Sequence, residues 1–171
     1  MLAAALALLI ASPAPTTHLE QWRPLISEAS RRFGVPADWI RQVIHAESRG
    51  RTLAISPKGA MGLMQLMPQT WAEMRDALFL GRDPFDPRDN VLAGTYYLRL
   101  MYERFGYPGL FAAYNAGPER YADHLIRGRP LPRETRAYVA EIAGAPAGLE
   151  LPSASRRDSL FFPLTSDDGD R

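Results

Sequence analysis

The sequence contains no cysteine. Disulfides, thiolate-bound zinc, iron–sulfur clusters and thiol nucleophiles are therefore excluded. Histidine is scarce, and His18, His45 and His124 lie too far apart in sequence to show metal-ligand spacing. No charge sign dominates: 20 Lys+Arg face 19 Asp+Glu, for a formal net charge of +1. That balance lacks the basic footprint of a nucleic-acid partner. Lysine is almost absent, with Lys58 alone beside scattered arginines. Long hydrophobic runs are missing too. The apolar stretch Met1 to Ala11 is shorter than the roughly 20 residues a membrane-spanning helix needs. No segment alternates strictly between apolar and polar residues, so little or no sheet is expected.

What remains is ordinary for a soluble fold, with 46% hydrophobic residues in a chain of 171. That is enough to bury one core, but it leaves little room for two. Residues 1–15 read as a signal peptide or an apolar leader. The length of the run fits the apolar core of a secretory signal, although no Lys or Arg precedes it and Ser12-Pro13-Ala14 is followed by Pro15. Residues 16–145 carry the folded domain. Residues 146–171, rich in Ala, Pro, Gly, Ser and Asp, read as a disordered C-terminal tail with one apolar patch, Leu160-Phe161-Phe162.

Within the domain the pattern is helical. Thr17-x-x-Glu20 predicts a capping box for a helix with apolar positions Trp22, Leu25, Ile26, Ala29 and Phe33, stopped by Gly34. Pro36 suits the start of a second helix, which runs to about Ser48. Residues 50–61 read as a loop and 62–67 as a helical turn. A helix over Pro68–Leu78 follows. Asp86 caps a long helix that ends at Gly106, with core positions Val91, Leu92, Leu98, Met101 and Phe105. Shorter helices are expected near 108–115, 118–127 and 132–143.

One residue breaks the pattern in an informative way. The second helix carries a stripe Ile40, Val43, Ile44 at helical spacing, and the next position on that face is Glu47. Desolvation there raises a carboxyl pKa, and so does the negative end of the helix dipole. A carboxylic acid kept neutral near pH 7 can serve as a general acid. The competing reading ends the helix one turn earlier and leaves Glu47 exposed or paired with Arg49 or Arg51.

The surrounding motifs weigh on that choice. Glu47-Ser48 is followed by Ser56-Pro57-Lys58-Gly59-Ala60-Met61-Gly62-Leu63-Met64-Gln65-Leu66-Met67-Pro68, then by Ala113-Tyr114-Asn115-Ala116-Gly117, then by Glu134-Thr135-Arg136-Ala137-Tyr138-Val139. In this order and at these separations the set closely resembles the soluble lytic transglycosylase family, whose catalytic domain is of the goose-type-lysozyme kind. The resemblance covers roughly residues 20–143. It implies a mainly α, lysozyme-like helical domain. The short chain also resembles the stand-alone transglycosylases that accompany conjugation and secretion machines.

The resemblance implies cleavage of peptidoglycan between N-acetylmuramic acid and N-acetylglucosamine, leaving a 1,6-anhydromuramoyl end. It implies one acid, Glu47, acting first as acid and then as base. No cofactor or metal is needed. Ser56 matches a loop serine that reaches the catalytic Glu. Gln65 offers an amide to sugar substituents. Met64 and Met67, three apart, would share a helix face, with one of them lining the sugar cleft. Tyr114 offers a ring to a sugar face and Asn115 an amide. Tyr138 matches the tyrosine that holds the acid in place, and Glu134 shares its helix face. Glu73, Asp76, Asp83, Asp86 and Asp89 fall in no such motif and read as caps and solvated acids. His45 reads as a surface residue. Arg49 and Arg51 depart from the family pattern. They could bind substrate carboxylates or depress the Glu47 pKa. The implied partner is the peptidoglycan glycan strand and the implied location the periplasm or cell envelope, reached by export. Two other functions fit the residues: a muramidase using water, and a wall-binding component of a secretion apparatus whose tail patch docks a partner.

Overall fold

A computed structural model describes residues 19–143. The leader and the tail, including Leu160-Phe161-Phe162, lie outside the described residues, as does Thr17 of the expected capping box. Glu20 opens a 3-10 turn (Glu20–Trp22) and pairs with Arg23. The first α-helix, α1 (Arg23–Phe33), starts from Trp22 with no side-chain cap. Its end is as expected: Gly34 adopts φ +64° and its N–H donates to Ser30 O. α2 (Ala37–Ser48) buries Trp39, Ile40, Val43 and Ile44, which confirms the stripe up to the turn that carries Glu47.

The remaining helices follow the predicted boundaries closely. They are α3 (Pro68–Leu78), α4 (Pro87–Phe105), α5 (Gly109–Ala116), α6 (Pro118–Arg127) and α7 (Arg133–Ala143). The Asp86 side chain accepts from the Asp89 N–H at 2.9 Å, the predicted cap of α4. α4 is the central element, packed against α1, α3 and α5. Its consecutive residues Asn90 to Thr95 are all buried, which marks a helix enclosed on every side at that level. α7 packs on α2 and α5, so it closes one side of the molecule over the end of α2.

The segment between α2 and α3 differs from expectation. Residues 62–67 are not a helical turn. The chain there makes successive turns joined by isolated bridges, Ile55 with Met61 and Met61 with Leu66. Two left-handed positions, Gly62 (φ +77°) and Gln65 (φ +48°), prevent helical propagation. The shared face of Met64 and Met67 is lost with it: Met64 is wholly buried, whereas Met67 is 44% exposed.

This loop is fixed from beneath. The buried Asn90 of α4 accepts from the Met64 N–H at 2.8 Å. Its amide donates to Met61 O at 3.1 Å and to Pro84 O at 2.8 Å. A β-carbon on Gly62 would lie 2.3 Å from the Asn90 amide nitrogen, and one on Gly94 would lie 2.5 Å from the Met64 sulfur. Glycine at these two positions lets loop and helix approach that closely.

Candidate active site

Glu47 sits on the last turn of α2, where the apolar stripe meets the loop. The neighbouring Ser48 is buried. Its hydroxyl donates to Leu63 O at 2.7 Å and accepts from the Gly50 N–H at 3.1 Å, which staples the helix end to the loop. Trp22 adds a bond from its indole N–H to Gly50 O at 3.1 Å. The backbone around Glu47 is therefore anchored from both sides.

Eight of the residues singled out in the sequence line one cleft of about 480 Å³, whereas Met64, Arg49 and Arg51 do not. The eight come from α2 (Glu47), the loop (Ser56, Gln65, Met67), α5 (Tyr114, Asn115) and α7 (Glu134, Tyr138). Burial pushes the Glu47 carboxyl up from 4.5 to about 7, opposed only by the adjacent Tyr138 hydroxyl. This favours the desolvated reading of Glu47 over the exposed one. No arginine contributes, which answers the question raised by Arg49 and Arg51. Arg49 is exposed at the left-handed cap of α2. Arg51 donates from Nε to Ser48 O at 3.1 Å and lines a separate groove beside Trp22. No second carboxylate shifts the Glu47 titration either. Asp83, Asp86 and Asp89 bond to the backbone N–H groups of Phe85, Asp89 and Gly81, as expected of caps.

Tyr138 is buried, and its phenol pKa is raised well above 10 by desolvation and by the Glu47 charge, so it remains a neutral donor. Its hydroxyl makes no hydrogen bond of ordinary geometry although it lies beside the Glu47 carboxyl. Tyr114 is also a neutral phenol, fully engaged: it donates to Met64 O at 2.8 Å, and its ring packs on Tyr97 with centroids 5.3 Å apart. It is buried, so it forms a wall of the cleft rather than the open sugar platform the sequence suggested.

The other side chains have divided duties. Ser56 Oγ accepts from the Ala60 N–H at 3.0 Å, which leaves its own proton free for the cleft. Gln65 donates both amide protons to the loop, to Ala54 O at 3.0 Å and Gly62 O at 2.9 Å. Only its carbonyl oxygen is left to offer, which halves the role expected of it. Asn115 Oδ1 accepts from Thr135 at 2.8 Å, joining α5 to α7, and its amide protons remain available. His45 is exposed and 3.7 Å from Glu141, in keeping with the surface reading. Sequence reasoning missed Lys58 and Glu141, which also line the cleft, and the buried polar residues Ser48, Asn90 and Thr135 that hold its walls. Burial of a polar residue leaves no mark in helical spacing, whereas Lys58 stood out as the sole lysine.

The geometry can be set beside known proteins. The profile of the transglycosylase SLT domain matches residues 24–129, more than half of the chain. The chain belongs to the transglycosylase SLT family. Among curated SLT relatives, the soluble lytic murein transglycosylase of Escherichia coli K12 is 35% identical over 149 residues, covering 73% of this chain and 23% of its own length. The transglycosylase of Enterobacteria phage PRD1 is 37% identical over 87 residues, covering 50% of this chain and 31% of its own. In structure, the 70 kDa soluble lytic transglycosylase of E. coli superposes with a TM-score of 0.63 at 30% identity, over 73% of this chain and 24% of that one. Lytic transglycosylase Slt of Pseudomonas aeruginosa, solved as an inactive mutant, gives 0.62 at 30%, over 70% and 22%. The chain thus spans about a quarter of the length of the E. coli relative, and its helical fold is the lysozyme-like fold of the SLT family. The profile match ends before α7, the helix that supplies Glu134 and Tyr138. Among the described residues no helix is long and apolar enough to cross a membrane.

Proposed function

We propose that this SLT-family chain is a peptidoglycan lytic transglycosylase with Glu47 as its single general acid and base. The observation that carries the proposal is the environment of Glu47: a carboxyl raised to about 7 in the cleft, with no second carboxylate coupled to it. Glu134 and Glu141 also line the cleft, but both are exposed and face Lys58 and His45, whereas a two-carboxylate glycosidase needs a second acid held about 5–9.5 Å from the first. A site that relies on one acid must run a reaction in which the same group gives and then takes a proton.

Intramolecular transglycosylation has that form. Glu47 gives its proton to the glycosidic oxygen, the bond to the muramoyl anomeric carbon breaks, and the N-acetylglucosamine leaves as an alcohol. The 2-acetamido oxygen of the substrate supports the cation-like centre in place of a second acid. The muramoyl 6-hydroxyl then attacks the anomeric carbon and returns its proton to Glu47. A 1,6-anhydro ring forms, no water is consumed, and the acid is regenerated. Tyr138 steadies the carboxylate between the two steps. The amide protons of Asn115, the Ser56 hydroxyl, the Gln65 carbonyl and Met67 face the glycan.

The same reading extends to the parts outside the described residues. We propose that residues 1–15 are a leader directing the chain to the periplasm, that residues 16–145 form the catalytic unit, and that residues 146–171 are an extension that meets a secretion or conjugation machine. The names of the relatives, murein transglycosylases among them membrane-bound ones, support an envelope setting. The test is mass spectrometry of muropeptides after digestion of purified sacculi. Fragments ending in 1,6-anhydromuramic acid, absent with Glu47→Gln, are expected. Reducing ends would instead mean water as nucleophile. No cleavage by folded protein would leave a wall-binding role.

A further inference from the structure

The cleft is acidic. Glu47, Glu134 and Glu141 line it, and among its lining residues Lys58 is the lone cation. A glycan whose muramoyl groups carry carboxylates, on the lactyl ether or on an attached peptide, meets like charge there unless something offsets it. Lys58 stands at the tip of a tight turn. Ser56 N–H donates to Ala60 O at 3.0 Å, Ala60 N–H to Ser56 Oγ at 3.0 Å, and Gly59 N–H to Ser56 O at 2.9 Å. The turn fixes the backbone under Lys58, and the side chain extends from it into solvent. The Lys58 ammonium lies 3.2 Å from Glu134 on α7, with side-chain exposures of 78% and 67%. An ion pair so open to water adds little to stability, so a competing carboxylate can take the place of Glu134 at little cost. Arg49 and Arg51, which the sequence offered for this task, do not line the cleft.

We propose that Lys58 is a specificity-determining residue. It exchanges Glu134 for a carboxylate of the entering muramoyl unit, and so distinguishes the charged glycan of peptidoglycan from neutral amino-sugar polymers. This rests on the peptidoglycan reading above for its substrate class, but not on turnover.

The experiment is therefore a binding titration. The full chain carrying Glu47→Gln is titrated with soluble peptidoglycan strands, and with the same strands after their carboxylates have been converted to amides. Adding Lys58→Met is expected to weaken binding of the charged strands about fivefold, the scale of one exposed charge pair, and to leave the amidated strands unaffected. Lys58→Arg is expected to recover most of the affinity, because any cation serves. Equal loss on both strands, or no loss on either, overturns the proposal. Absence of cleavage by the parent protein would defeat the catalytic reading alone, since the titration does not depend on it.

Discussion

Glu47 and Tyr138 make opposite demands on the fold, and each can be measured. A half-buried acid whose folded pKa is raised from 4.5 to about 7 binds a proton that the unfolded chain has released. The folded state therefore holds more protons between those values, and stability falls as pH rises from about 4.5 to 7. Glu47→Gln removes this penalty. The variant is expected to melt above the parent at pH 8, by on the order of 1 kcal/mol once partial solvent access is allowed for, and to match it near pH 4.5. Its glycan cleavage should fall by about a thousandfold or more, read from muropeptide release. In the parent, kcat/KM is expected to decline above pH 7 with a one-proton slope as the acid form is lost. Tyr138→Phe removes the hydroxyl that lowers the Glu47 pKa, so the decline should move to higher pH while the maximal rate falls. Its contact with Glu47 lies outside ordinary hydrogen-bond geometry, so losing it should cost little thermal stability.

The elements of the site were unequally legible in the sequence. α2, α3 and α4 could be read because stripe, proline and cap coincide: Asp86 opens α4 and Gly34 closes α1 as their chemistry requires. The loop over residues 62–67 could not, because its apolar residues are spaced like a helix while Gly62 and Gln65 turn the backbone left-handed. What holds that loop is Asn90, twenty-odd residues away on a helix whose periodicity reports only its apolar neighbours. Asn90→Ala leaves the Met64 N–H and two carbonyls without their partner and is expected to cost about 2–4 kcal/mol, measured by denaturant unfolding. The two methionines should separate in the same assay. Met64→Ala is expected to cost about 2–5 kcal/mol. Met67→Ala should cost little stability and should instead raise KM for the glycan.

As a whole the molecule is a helical shell around α4, with a site gathered from four distant stretches. The motifs in the sequence named every stretch of that site and their order, but not how each side chain divides its bonds between wall and substrate. Gln65 and Tyr114 show why: both carry groups that suit sugar recognition, and both spend most of them on the loop. Among the described residues α7 packs on α2 and α5, which brings the last described helix onto the core. A fragment of residues 16–145 is therefore expected to unfold cooperatively in urea with the midpoint of the full chain. A broadened or lowered transition would show that the tail contributes to the core.

The placement of Tyr138 on the last described helix has a consequence for the life of the chain in the cell. Glu47 leaves the ribosome 91 residues before its partner. Until α7 docks, the wall that carries Glu134, Tyr138 and Glu141 is missing and the Tyr138 hydroxyl is not yet beside Glu47. On the function proposed above, a chain truncated before α7 is expected to leave the glycan uncut, as muropeptide release would show.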